Sequence, residues 1–423
     1  MTRFFTFLLF LITAYSITAQ NNLDLADNAL ISGDYEIAVQ LYSGLLENNQ
    51  DDFTIYLKMG RAQNGLNQYA NAIESFRHGL ELAPENRMLI MKLAESYVNM
   101  NWFSNAEVLY NSLLTKDSSQ IIITSLASLK IKEGNYNKAL DHYKYLIHND
   151  SLNYHYLRQA ALCADKINKH KEAKMYFYKV LRVNPRDIVS RLRLAKILLL
   201  EDYLIETLAL VEEGLNYYPE DHRLLLKKAD AFYYLRDFEL AIPVYSQLKK
   251  GDKADFETLK KLGISYYHID DYECSFEQFD TLCKVKADDY LVNWYLGLSA
   301  KHLRQFDTAE FHITTAIKLA TSVYMPRFHF QLGQVYAYKR EYEKALEAYK
   351  KALEFDPGDI RFYFYVATTY EEMGANKLIA YQWYQDYINS CKDECDEDNL
   401  KYARNRVRVI KEQYFFEGES IRD

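Results

Sequence analysis

Read only for its apolar and polar positions, the chain repeats one phrase. A small residue is followed four positions later by an aromatic or apolar one, and three further on by another small or apolar one. The early copies are Ala38, Tyr42, Leu45; Ala72, Phe76, Gly79; Ala106, Tyr110, Leu113; Ala139, Tyr143, Leu146; and Ala173, Phe177, Val180. The later ones are Thr207, Val211, Gly214; Ala241, Tyr245, Leu248; Ser275, Phe279, Leu282; Ala309, Ile313, Ala316; and Ala345, Tyr349, Ala352. A weaker copy ends the series at Ala380, Tyr384, Tyr387. The leading residues are separated by 34, 34, 33, 34, 34, 34, 34, 34, 36 and 35 positions. Offsets of four and three fall on one helical face, so each copy predicts a helix.

A second helix precedes each of these. Its mark is a small residue twelve positions before the leading one, as at Ala26, Gly60, Ala94, Ala127, Ala161, Ala195, Ala229, Gly263, Gly297 and Gly333. Small side chains at such points let two helix backbones approach closely. A polar turn followed by an aromatic residue joins the pair, as in Gly33-Asp34-Tyr35, Asn67-Gln68-Tyr69 and Arg236-Asp237-Phe238. Pro84, Pro185, Pro219 and Pro357 fall between pairs, where proline ends one helix without breaking the next. Pro326 follows the widest spacing and suits the first turn of a helix. Pro243 lies inside a second helix and predicts a kink or a delayed start.

With these signposts the chain resembles the tetratricopeptide repeat family, built from 34-residue helix–turn–helix units. The resemblance implies an all-α, right-handed superhelical solenoid of about eleven units over residues 20–390, with the first helices lining its concave side. One unit cannot bury its own apolar face, so units stack and share a core. The acidic loop and terminal helix of residues 391–423 suit a cap over the last unit, the helix running from Asp398 to Phe416.

Composition narrows the class. The chain is 49% hydrophobic and 26% charged, with 38 Tyr, 14 Gly and 6 Pro in 423 residues. Few breakers and many amphipathic aromatics favour packed helices. A formal charge of −8 with no long basic stripe gives no electrostatic case for nucleic acid. The first residues, Met1 to Gln20, join Arg3 to an apolar run from Phe4 to Ile12 and small residues near Ala19. They read as a secretory signal peptide of residues 1–19. The run is shorter than the ~20 residues a membrane span needs. Export then places the protein in the periplasm or outside the cell, with no stable span after removal of the signal.

No catalytic or nucleotide-binding signature is present: no His-Glu-x-x-His, no Gly-x-Ser-x-Gly, no phosphate loop. The expectation is therefore a protein without enzymatic activity or cofactor. His142 and His148 are six apart, about 120° out of register on a helix, which makes them poor joint ligands. The acidic run near Asp393 lacks the glycine and spacing of a calcium loop. Cys163 reads as a small buried hydrophobe. Cys274 and Cys283 share one helix and stand ~13 Å apart, too far for a bridge. Cys391 and Cys395, between the last repeat and the terminal helix, suit either a short loop disulfide or two free thiols.

The groove side is more informative. On later first helices one column of residues runs Lys260, Trp294, Phe330, Phe364, and a second ends in Arg327 and Arg361. Tyr267, Lys301 and Gln334 project the same way. Aromatics beside Arg and Lys anchor peptides and interfaces, so these nine residues form the expected ligand-binding surface, with a preference for acidic or carboxylate-bearing segments. Some family members grip a C-terminal carboxylate through Lys, Asn and Arg spread over three units. Lys260 and Arg327 fit two places of that arrangement, but Ile264 and Tyr295 stand where Asn is expected. The resulting reading is a protein- or peptide-binding scaffold for assembly in the cell envelope. The alternative is an accessory or regulatory subunit that docks an enzyme or secretion machine through its convex face or ends. An enzyme built on the solenoid is disfavoured by the missing acid/base pair.

Overall fold

The computed structural model describes residues 22–47, 50–115, 119–374, 377–391 and 395–416. The expected signal peptide lies outside these residues, as do positions 392–394 of the acidic loop. Every regular element among the described residues is a helix, and there is no strand. After a helix at 22–32, helices of twelve to fourteen residues alternate with tight turns up to Ser390, and one of 20 residues, Glu397–Phe416, ends the series. The chain gathers into two compact units, one up to Ile197 and one from Leu198. Within each, helices consecutive in sequence pack on one another, giving an all-α repeat solenoid.

The backbone states the repeat independently of the side chains. One residue in the turn of each helix pair is left-handed, with φ between 57° and 89°: Gly33, Asn67, Asn101, Gly134, Asn168, Asp202, Arg236, Asp270, Arg304, Arg340 and Gly374. Their spacings are 34, 34, 33, 34, 34, 34, 34, 34, 36 and 34 residues. Gly, Asn and Asp are the residues this region favours; an ordinary side chain costs about 1–2 kcal/mol there. The three arginines are held by the turn itself. The next N–H reaches back five residues, as in Asp237 N to Phe232 O at 2.9 Å and Gln305 N to Ala300 O at 2.8 Å, closing the helix end.

The core is a small residue of the first helix under a large residue of the second, sixteen positions later. Ala26, Ala94, Ala127, Ala161 and Ala229 are fully buried. At Gly60 even a methyl group would stand 2.4 Å from the Phe76 ring, and at Gly333 it would stand 2.5 Å from Tyr349. Where the aromatic is tyrosine, its hydroxyl needs a partner. Tyr42 donates to Asp27 at 2.6 Å and Tyr245 to Asp230 at 3.0 Å. A lysine of the following repeat completes each: Lys58 on Asp27 (2.7 Å) and Lys261 on Asp230 (2.6 Å). The departure at Thr207 is absorbed locally, because its hydroxyl donates to the Tyr203 carbonyl at 2.9 Å. Ser299 does the same service for Ser275, hydroxyl to hydroxyl at 2.9 Å.

Three aromatic pairs stitch successive turns of the second unit: Phe238 on His268 (4.6 Å between centroids), Tyr272 on His302 (4.0 Å) and Phe306 on Tyr338 (5.4 Å). Of the two expectations for Pro243, the delayed start is corrected. Its helix starts at Phe238 in step with the others and runs unbroken to Lys250. Pro326 does sit in the first turn of its helix. The terminal helix buries Ala403 and Ile410 against Tyr381, Tyr384 and Phe364, and Arg406 pairs with Glu371. Cys163 is buried, which pushes its thiol up to about 11, and Cys274 and Cys283 are free on one helix. The Cys391 and Cys395 sulfurs are joined, with Cα atoms 5.9 Å apart.

Two outcomes test this packing. Ala345 is fully buried, so Ala345→Glu puts an unpaired charge between two helices and should cost roughly 3 kcal/mol or more. In a stacked array the damage should stay near its own repeat. Hydrogen exchange around Tyr336 and Tyr349 should accelerate first, and unchanged protection there would sink this register. The second outcome concerns pH. Burial holds His142, His268, His302, His312 and His329 below the usual histidine value. As pH falls below about 6.5 the unfolded chain takes up these protons first, so stability is full above that pH and declines below it. The aspartates held low despite burial, such as Asp27 and Asp289, enter only below about pH 4. The melting temperature should therefore drop between about pH 7.5 and about pH 5.5, and His302→Phe should lessen the drop. A melting temperature that rises over that interval contradicts the assignment.

Candidate functional site

In the second unit, the first helices of successive repeats touch side by side. Tyr290–His302 contacts Phe256–His268 on one flank and Met325–Tyr338 on the other. Their open faces, with the start of the Arg361–Glu372 helix, enclose a cavity of about 430 Å³. Its walls include Tyr267, Trp294, Tyr295, Arg327, Phe330, Asp359 and Arg361. Val323 and Pro326 close one side. They belong to the segment between Leu319 and Arg327, which holds a short 3₁₀ turn at Ser322–Tyr324. This is the single 36-residue step of the array, between Arg304 and Arg340. A second cavity of about 340 Å³ lies beyond Phe330 and Arg361, which line both, and is walled by Phe364, Tyr365, Tyr387 and Asn399.

Five of the nine expected ligand-binding residues thus meet in one place: Tyr267, Trp294, Arg327, Phe330 and Arg361. The roles of Lys260, of Phe364 and, within the five, of Trp294 need correction. Lys260 is buried and held by Asp289 and Glu257, both at 3.0 Å. Burial opposes its charge, but the two carboxylates win and hold its pKa above the usual value. Its charge is already answered within the protein. Phe364 is 8% exposed and packs on Tyr384, Tyr387 and Tyr402 of the elements that close the array. Trp294 is 6% exposed and stacks on Phe328 of the next repeat at 4.1 Å. Both aromatics are packing residues that show an edge to the cavities, not free anchors. Lys301 and Gln334 are bonded to each other, Nζ to Oε1 at 2.9 Å, beside the larger cavity.

Phe330 is half-buried, with its ring against Tyr365 at 4.9 Å and Phe362 at 5.4 Å. The Arg361 guanidinium lies 6.0 Å from the Phe330 centroid. That guanidinium is spent on Asp359, whose carboxyl it holds below the usual range against the effect of burial. Arg327 differs. It is exposed and makes no hydrogen bond or ion pair among the described residues. The cavity therefore offers aromatic and aliphatic walls, the Arg361–Asp359 ion pair, the exposed carboxylate of Asp356 and the Arg327 guanidinium. Such a site can hold an apolar group that carries a polar or charged end. Tyr267 and Tyr295 have hydroxyls pushed up by burial, Tyr267 to about 12, and both stay neutral hydrogen-bond partners. Among the described residues no cluster of His, Cys, Asp and Glu is arranged to hold a metal.

Sequence reasoning missed Tyr295, His268, Val323 and Asp359 as parts of this wall. For Val323 a signal was present in the two extra residues of the 36-residue step. For Tyr295 it was the residue's departure from an expected Asn. Nothing in the spacing marks His268 or Asp359.

Family models of the tetratricopeptide repeat match residues 23–87, 155–187 and 326–359. No curated protein matches the sequence. Among solved structures the chain is similar to MamA (26% identity over 41% of this chain and 92% of that one, TM-score 0.38). It is also similar to YrrB, described as a TPR protein with an unusual peptide-binding site (16% identity, 44% and 95% covered, TM-score 0.40). A third is yeast Tom70 (13% identity, 94% and 96% covered, TM-score 0.36). Separate matches to the repeat in early, middle and late units, on a backbone whose turns recur every 34 residues, make this chain a tetratricopeptide repeat protein.

Proposed function

We propose that the protein is a non-enzymatic scaffold that binds an acidic segment of another protein during assembly of a complex in the cell envelope. The observation that supports this most is Arg327, an exposed guanidinium in the wall of an aromatic cavity, beside the 36-residue step of the array. Export is inferred from the leader-like residues at Arg3 to Ala19. Among the described residues no helix is long and apolar enough to cross a membrane. A second reading, docking through the end of the array, draws on the terminal helix. Lys401, Arg404 and Arg408 are exposed at spacings of three and four, on one face.

The groove reading predicts a specific pattern with partners recovered from the native envelope fraction. Arg327→Glu should weaken binding at least tenfold at low salt and less at high salt, because exposed charge attraction is screened. Phe330→Ala should cost about 2 kcal/mol of binding, as interface aromatics do, with the helical spectrum nearly unchanged. Full binding by both folded variants, together with its loss in Arg404→Glu, would move the contact to the terminal helix. For export, N-terminal sequencing of envelope-purified protein should begin between Ile17 and Asn21, and an intact Met1 contradicts it.

A further inference from the structure

The first repeat leaves uncovered a position that later repeats bury. In those repeats the residue just before the small one of the first helix packs on the preceding second helix. Leu262 joins Tyr245 and Leu248, Leu296 joins Phe279 and Leu282, and Leu332 joins Ile313 and Ala316. These three leucines are at most 7% exposed. Leu25 holds the same place beside Ala26, and among the described residues no repeat precedes it, so it is 56% exposed. On the same helix Asp24, Asn28 and Ile31 are exposed at i, i+4 and i+7, which puts them on one face. The first repeat is thus still built to receive a neighbour.

The two ends of the array carry opposite charge. Residues 22–57 hold seven Asp and Glu and no Lys or Arg, so nearly the whole formal charge of −8 lies in the first repeat and the turn after it. Asp24, Asp34 and Glu36 are exposed there, close in sequence to Leu25 and Ile31. In the terminal helix, positions 399–411 hold five Lys and Arg and no Asp or Glu. Arg406 is spent on Glu371, while Lys401, Arg404 and Arg408 are exposed, Arg408 reaching Glu412 only at 3.9 Å. Tyr402 adds an exposed ring between Lys401 and Arg404.

Two acidic heads repel one another, as do two basic tails, so charge disfavours both symmetric pairings and favours head to tail. We propose that the neighbour of the first repeat is a second copy of this chain. Its terminal helix covers Leu25 and Ile31 with Tyr402 and sets Lys401, Arg404 and Arg408 against Asp24, Asp34 and Glu36. Such a contact is heterologous: each pair keeps one free head and one free tail, so further copies add in the same way. It uses neither Arg327 nor Phe330, and so stands or falls apart from the groove reading.

The test is sedimentation of the purified full chain over a range of concentrations. The mean mass should rise with concentration at low salt, and the apparent dissociation constant should increase at least tenfold between about 0.05 M and about 0.5 M salt, where exposed charges are screened. A head variant, Asp24→Lys with Asp34→Lys, and a tail variant, Arg404→Glu with Arg408→Glu, should each remain monomeric. Mixed in equal amounts they should associate again, because every reversed end then meets an opposite charge. Leu25→Ser changes no charge and should weaken association at least threefold, which keeps the contact testable if a charge variant loses its helical spectrum. A wild type that stays monomeric at low salt at the highest attainable concentration overturns the proposal. So does association that survives high salt and both charge variants, which would belong to apolar residues elsewhere, such as Phe4 to Ile12. Variants that each lose association but fail to restore it on mixing overturn the pairing of head with tail.

Discussion

The structure depends on one contact, a residue without bulk on the first helix set beneath a large ring on the second. At Gly60 and Gly333 there is no room even for a methyl group, and at the alanine positions the methyl group is fully enclosed. Burying an aromatic ring removes roughly 150–250 Å² from water, worth an upper bound of about 4–6 kcal/mol at 25 cal/mol/Å². That contact recurs along the array with a fixed sixteen-residue offset, Val211 and Ile313 taking the place of the ring in two units, so it sets helix separation and, with the turn, the 34-residue period. The left-handed turn residue is its backbone counterpart. It reverses the chain in the few residues available, and so brings small and large positions face to face.

Polar groups follow the same logic of local closure. A buried tyrosine hydroxyl needs an acceptor, the acceptor carboxylate needs a cation, and the following repeat supplies it. Asp27 and Asp230 each receive a tyrosine from their own repeat and a lysine from the next. Lys130 shows how far this goes. It is 2% exposed and lies between Glu107 at 2.7 Å and Glu133 at 2.8 Å. A buried ion pair is weak evidence of net stabilisation, because desolvation offsets much of the attraction. These groups fix register more than they add stability, since a repeat shifted by one residue would leave each of them unpaired.

The period was legible in the sequence because it is written twice, in side-chain size and in turn residues such as Asn67 and Asp270. The groove was legible in part. A helix face is wide, and spacing alone does not say which residues on it meet the next repeat and which meet solvent. Lys260, Trp294, Phe330 and Phe364 share one column. Yet Trp294 stacks on Phe328, Lys260 is taken by Asp289, and Phe364 is covered by the terminal elements. Phe330 remains half-buried because the Arg361 helix crosses it at its edge, where the cavities open. Arg327 was legible as a residue of the face, but its lack of a partner depends on where Asp356 and Asp359 stand, and no periodicity specifies that.

A regular repeat array tends to consume its own binding capacity. Each joint that repeats faithfully meets the same neighbours and spends its charges and rings on them, as the stacked pairs at Phe238, Tyr272 and Phe306 do. Recognition then has to use places where the pattern fails to supply a neighbour. The 36-residue step is such a place. Its two additional residues add a 3₁₀ turn before Pro326, put Val323 into the cavity wall and leave Arg327 without the carboxylate that answers Arg361. The asymmetry between these two arginines, equivalent by position and opposite in pairing, is the form in which an otherwise self-sufficient array leaves a charge for another molecule.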